Sequence, residues 1–186
     1  MLTPSPSRRS GFTLAEVLVA FTIIAMLAAV IVPTVRGRIQ DAYESALVSE
    51  LENLRNAIAA YRQDVGKYPP ALDYLTALRA SPVDRCSVPL TAAAQANWRG
   101  PYLSRQILNS VGYVVAQKDT ITDVLTSSAS PAGLVITLSG PDTTTAHNMD
   151  IRIDGFANNA IGGFKWTAPG TDAVISYIIP TRAGAC

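Results

Sequence analysis

The chain is poor in the residues from which most catalytic and metal sites are built. Among its 186 residues there is one histidine, His147, and there are two cysteines, Cys86 and Cys186. That inventory argues against a zinc or catalytic-metal site, which needs three or four converging ligands. The cysteine spacing is far too wide for a CxxC redox motif. His147 lies in a Thr/Asn-rich stretch and reads as a solvated side chain. There is no G-x-S-x-G elbow, no phosphate-binding loop and no G-x-G-x-x-G; Gly162-Gly163 reads as a turn. Charge is also scarce, at 16% of residues with a formal net charge of +1. A basic nucleic-acid surface and an acidic disordered tail are both disfavoured by that balance. Arg79, Arg85, Arg99 and Arg105 do not alter it, and no nucleic-acid partner is expected.

Hydrophobic residues make up 48% of the chain, and they are unevenly placed. Residues 12–35 read FTLAEVLVAFTIIAMLAAVIVPTV, with Glu16 as the single charge. As a helix this run extends about 36 Å, enough to cross a bilayer core of about 30 Å. Arg8 and Arg9 precede it, which keeps the N-terminus cytoplasmic and puts the remainder outside. A secretory signal is the competing reading, but it would have a shorter apolar core followed by a small-residue cleavage site. A cut near Ala28-Ala29 would fall inside the helical pattern. Gly11 instead stands before the run, where a cut leaves the whole apolar helix on the mature chain. Glu16 lies one turn inside. It is either a functional carboxylate, the default for an ionisable residue in a membrane helix, or one that snorkels to the nearby interface.

Beyond Val35 the sequence turns polar but keeps a helical period. Ile39, Tyr43, Leu47, Leu51, Leu54, Ile58, Tyr61 and Val65 form one apolar stripe. Arg38, Asp41, Glu50, Glu52, Arg55 and Arg62 take the opposite face. Gly66 and Pro69-Pro70 stop the helix, which is expected from about residue 12 to about 65. Its first half would lie in lipid and its second against a domain. A coiled coil and a plain single-pass anchor are the alternatives.

Residues 9–16, Arg-Ser-Gly-Phe-Thr-Leu-Ala-Glu, followed by the long apolar run resemble the type III signal of type IV prepilins and type II secretion pseudopilins. The resemblance implies cleavage by prepilin peptidase between Gly11 and Phe12 and N-methylation of Phe12. It implies an assembly role for Glu16, which would pair with the N-terminal amine of a neighbour. Pairing would relieve two charges that are each unfavourable in hydrocarbon. Pro33 matches a proline common in these helices, where it kinks or loosens the helix. Implied partners are copies of the chain, other pilin-like subunits, the peptidase, an inner-membrane assembly platform and the membrane itself.

The remaining sequence is rich in Gly, Pro, Ser, Thr and Asn. Residues 71–80 are expected to form a short helix with Leu72, Leu75 and Leu78 on one side. Strands are expected at Gly112–Gln117, Leu134–Ser139, Met149–Asp154, Gly163–Thr167 and Ala173–Pro180. The expected fold is therefore α+β: a long N-terminal helix packed on a small antiparallel sheet. Its segments are a leader (1–11), a transmembrane or filament-core helix (12–35) and a periplasmic domain (36–186). Lys67-Tyr68-Pro69-Pro70 resembles the family's Tyr-Pro turn. Trp98–Leu103 resembles a segment of major pseudopilins, although the Asp-Pro-Trp-Gly that usually follows is replaced by Ser104–Val111. Asp150–Gly155 resembles a late Asp-x-x-x-Asp-Gly strand and turn.

In an exported protein Cys86 and Cys186 would tend to pair. The bridge would close a loop of about 100 residues, worth about 4–5 kcal/mol in the chain-entropy model; two buried thiols are the alternative. Asp142, Asn148, Asp150 and Asp154 lie close in sequence, and oxygen-rich loops hold calcium. Major pseudopilins often carry calcium near this position, but the spacing fits no EF-hand, and solvated turn residues are the other reading. No other cofactor is expected, and no catalytic set is present. A secretion pseudopilus and a type IV pilus for adhesion, twitching or DNA uptake both fit the resemblance.

Overall fold

The computed structural model describes residues 12–104, 113–116, 119–122, 125–129 and 132–181. The chain forms two compact units, Met1–Ala42 and Tyr43–Cys186. One element belongs to both: helix α1, Leu14–Val65.

In the first unit α1 is exposed on every side, and between Leu14 and Val35 its single charge is Glu16. The hydroxyl groups within the run are turned back on the backbone. Thr22 Oγ1 donates to the Val19 carbonyl at 2.8 Å, and Thr34 Oγ1 to that of Ile31 at 2.8 Å. Such bonds satisfy these hydroxyl groups within the helix itself. Pro33 lies inside α1 without ending it.

In the second unit Leu47, Leu51, Leu54, Ile58, Tyr61 and Val65 are buried, as their spacing anticipates. Two expectations fail at the edges of the stripe. Ile39 remains 62% exposed, because it precedes the residues that pack on the domain. Glu50 is buried rather than on the polar face, and so is Glu44. Gly66 ends the helix with a positive φ of 78°, and its N–H donates to the Arg62 carbonyl at 2.8 Å. Tyr68 then tucks into the core. The expected helix over 71–80 is shorter: a 3-10 turn, Leu72–Leu75. Leu72 and Leu75 are buried while Leu78 stays at the surface. Thr76 closes the turn through Asp73, whose carbonyl accepts both its N–H and its hydroxyl. A short helix α2, Ala92–Ala96, follows, capped by Thr91.

Among the described residues six antiparallel strands form one sheet: β1 Tyr113–Ala116, β2 Asp119–Ile121, β3 Thr126–Ala129, β4 Ala132–Asp142, β5 Phe164–Thr167 and β6 Asp172–Pro180. The path is β1-β2-β4-β6-β5, with β3 also pairing with β4. The register puts Leu134 opposite Ile179, Ile136 opposite Tyr177 and Leu138 opposite Ile175. Phe164 faces Tyr177 from β5. With a period of two these residues share one face, and they join the α1 stripe in a single hydrophobic core. The α+β architecture of a long helix on a small antiparallel sheet is thus present.

Met149–Asp154 is not a strand. It is the second half of helix α3, Thr143–Asp154. Asp142 caps the start, its Oδ1 accepting from Thr145 N–H at 2.7 Å. Gly155 terminates the helix in the left-handed region at φ 79°, a conformation that costs glycine nothing. Ala146, Met149 and Ile153 recur at helical spacing and pack on the core. The caps at both ends outweigh the short β-branched run that suggests a strand.

Candidate functional site

The N-terminal turn of α1 is organised by its own side chains. Thr13 is followed three residues later by Glu16, the spacing of a capping box. The Thr13 N–H and hydroxyl both donate to Glu16 Oε2, at 2.8 and 2.9 Å, and Glu16 N–H donates to Thr13 Oγ1 at 3.3 Å. The carboxylate therefore holds the helix start instead of projecting as a bare charge. Phe12 precedes this box and is 89% exposed. Phe12, Glu16, Val17, Ala20, Phe21 and Ile24 line one shallow apolar face. Gly11, the other half of the expected cleavage site, lies outside the described residues.

This turn is uncovered, and so is the apolar surface behind it, from Leu14 to Val35. An apolar surface of that extent on a folded chain marks a membrane or protein contact. Helix α1 is the one described helix long and apolar enough to cross a membrane.

The second unit carries the remaining sites named from the sequence. Cys86 is disulfide-bonded; the sequence's other cysteine, Cys186, lies outside the described residues. Buried Asp84 shapes the loop that bears Cys86. Its Oδ1 accepts from the N–H groups of Cys86 and Val88, both at 2.9 Å, while Lys67 approaches Oδ2 at 3.5 Å. Asp142, Asp150 and Asp154 are all on or beside α3, but not at one point. Asp142 caps the start and Asp154 ends the helix twelve residues later, about 18 Å along the axis. Each acid has a backbone duty. Asp150 Oδ2 accepts from Asn158 N–H at 2.9 Å, and Asp154 Oδ2 from Phe164 N–H at 3.0 Å. Gly162 is required there: at φ 104° it passes so close to Asp154 that a Cβ would strike the carboxylate. Among the described residues no group of three or more His, Cys, Asp or Glu side chains could hold a metal ion.

Asp150 is wholly buried, and burial pushes its carboxyl above the ordinary aspartate value, opposed by the Asn158 N–H and the Trp166 indole. Tyr61 is likewise buried, and its phenol is pushed up to about 12, burial being the main cause.

Two clusters escaped sequence reasoning. Glu44, buried on the inner face of α1, accepts from Asn148 Nδ2 at 2.8 Å and pairs with Arg152 at 3.3 Å. Arg152 also donates to Ser45 Oγ at 2.8 Å. Helix α3 is thereby clasped to α1. The signal was available: 44, 47, 51, 54 and 58 are spaced 3-4-3-4, which places Glu44 inside. The second cluster is aromatic. The Tyr102 hydroxyl donates to Asp64 Oδ2 at 2.8 Å and accepts from Arg99 N–H at 2.9 Å. Its ring meets Tyr61 and Trp98 edge-on. The Trp98–Leu103 segment is thus a clamp on the end of α1, and Gly100-Pro101 within it is cis.

Residues 6–32 match the family model of the prokaryotic N-terminal methylation motif, and residues 34–111 match that of type II secretion system protein G. Among curated proteins, the type II secretion system core protein G of Aeromonas hydrophila is 39% identical over 75 residues, which cover 40% of this chain and 52% of that protein. The Klebsiella pneumoniae protein of the same description is 36% identical over 75 residues, covering 40% and 54%. The Escherichia coli one is 35% identical over 75 residues, covering 40% and 52%. The chain spans about half the length of the curated relatives it matches. No solved structure matches it significantly.

Proposed function

We propose that the chain is a type II secretion pseudopilin of the type IV pilin-like family, a structural filament subunit and not an enzyme, a reading supported by the two family models and the curated relatives it matches. One observation carries the reading. The methylation motif falls on the start of a helix that is apolar and uncovered on every side.

Phe12–Val35 holds the subunit in the inner membrane, with the N-terminus on the cytoplasmic side. Prepilin peptidase cuts between Gly11 and Phe12, and the new amine of Phe12 is methylated. The cut removes Arg8 and Arg9, the charges that anchor the N-terminus in the cytoplasm. Glu16 then exchanges part of its bond to Thr13 for the amine of a neighbouring subunit, pairing two groups that are costly alone in hydrocarbon. The apolar surface leaves lipid for a bundle of like helices. Contacts that do not close on themselves extend the bundle into a filament, with other pilin-like subunits and the membrane assembly platform as partners. A cytoplasmic ATPase acting through that platform supplies the work of extraction. Cys86 takes Cys186 as its partner, which ties the C-terminus to the domain. No cofactor enters this scheme.

Exoprotein activity in culture supernatant tests the proposal. A strain lacking the gene should retain its exoproteins in the periplasm, and complementation should release them. Unchanged secretion, with loss of adhesion, twitching or DNA uptake, would move the chain to a type IV pilus.

A further inference from the structure

Three large apolar side chains outside the membrane run stand in solvent at one place in the fold. Ile151 is on the last turn of α3, and Phe156 and Ile161 are on the loop after it; they are 44%, 47% and 60% exposed. From Gly155 to Phe164 the sequence GFANNAIGGF holds no charge.

The loop is held so that these residues stay out. Asn158 N–H bonds to buried Asp150, Phe164 N–H to Asp154, and Trp166 N–H to the Asn159 carbonyl at 3.1 Å. Ile161 N–H bonds to the Asn158 carbonyl at 3.3 Å. A pinned loop presents them with little ordering cost left to any contact.

Their position within the second unit indicates what they meet. One residue after Ile151, Arg152 is bonded to Glu44 and Ser45. These lie at the very start of the unit, which begins at Tyr43. Ile151 is therefore beside the first residues of the unit, and the loop that carries Phe156 and Ile161 follows it directly in the chain. Only eight residues separate Val35, the end of the apolar run, from Glu44. Even fully extended, that tether is about 30 Å long.

We propose that Ile151, Phe156 and Ile161 form a docking face that dips into the interfacial layer of the outer leaflet while the subunit is stored in the membrane. An apolar tip whose loop carries no charge and is held by hydrogen bonds is suited to the headgroup–acyl boundary. The short tether makes the contact intramolecular, so three side chains suffice where a free domain would dissociate. The face orients the domain on the membrane before assembly and is given up on extraction. This inference rests on the membrane-anchored reading above.

Spin labels on the full chain, reconstituted in phosphatidylethanolamine–phosphatidylglycerol vesicles, test it. Phe156→Cys and Ile161→Cys carry the label, with Thr171→Cys, an exposed turn position between β5 and β6, as the control. Labels at 156 and 161 should show an oxygen-to-nickel accessibility ratio several-fold above that at 171, and transfer to detergent-free nanodiscs of the same lipid should preserve it. Equal ratios at all three positions overturn the proposal. So does spin–spin broadening at 156 that grows with protein density while the ratio stays at the water value, because the face would then meet a second copy. A fourth label, Ile24→Cys, reports the anchor itself. If it too reads as aqueous, the membrane-anchored reading has failed, and not the docking face alone.

Discussion

The two parts of helix α1 share a backbone and differ in everything else. Before Ala42 nearly every apolar side chain is exposed; after Tyr43 one stripe is buried and the rest is polar. A helix apolar all round has no preferred side and can serve lipid and a bundle alike. A helix with one stripe has committed that side to a single domain. The same chemical group is therefore worth very different amounts in the two parts.

Truncation tests this most strongly. Leu51→Ala, at a fully buried position, should cost about 2–5 kcal/mol of domain stability. Urea unfolding in detergent, followed by Trp98 and Trp166 fluorescence, reads it. Leu27→Ala, the same change in the exposed part, should leave that transition within about 0.5 kcal/mol. Equal shifts would erase the distinction.

Next in size is the clasp. Arg152→Ala leaves buried Glu44 with a charge and fewer partners, and should cost about 1–3 kcal/mol. Part of that loss should return in Glu44→Gln/Arg152→Ala, which removes the charge as well. A double variant no better than the single one would show that the pair is not coupled.

The capping box comes third. Thr13→Val should cost about 1 kcal/mol of local helix stability. Hydrogen exchange should speed up at the amides of Leu14 to Glu16 while the urea transition of the domain stays in place. Unaltered exchange would mean that the cap contributes nothing.

The smallest expected effect is on pH dependence. Asp150 has a raised folded pKa, so the folded state binds its proton more tightly than the unfolded chain. Its contribution to stability is full below the unfolded aspartate value of about 3.9 and declines as pH rises through the folded value. Asp150→Asn should flatten the pH dependence of the urea midpoint above pH 4. A slope that persists unchanged assigns it to another group.

What the sequence made legible follows the same division. Helix α1 was readable almost to the residue, because a long apolar run continued by a sustained 3.6-residue stripe fits a helix and little else. Strands β4, β5 and β6 were readable from apolar runs set between turn residues. The failures come where signals are short. Asp150–Gly155 contains Ile151 and Ile153 at strand spacing, yet Asp142 and Gly155 cap it as a helix. Strands β2 and β3 are three and four residues long and carry too little pattern to detect. The acidic cluster was visible as composition, but its use was not. Each carboxylate holds a backbone N–H, and for Asp150 and Asp154 that depends on where the chain folds back after residue 155. Glu44 was overlooked because charge was read as exposure, although its spacing placed it inside.

The intact mass of the protein extracted from membranes of cells that carry prepilin peptidase tests the central claim most directly. The account predicts a chain that begins at Phe12, carries one added methyl group and retains the whole apolar helix, with Cys86 and Cys186 joined. A full-length mass, or one that corresponds to a cut near Ala28-Ala29, would contradict it.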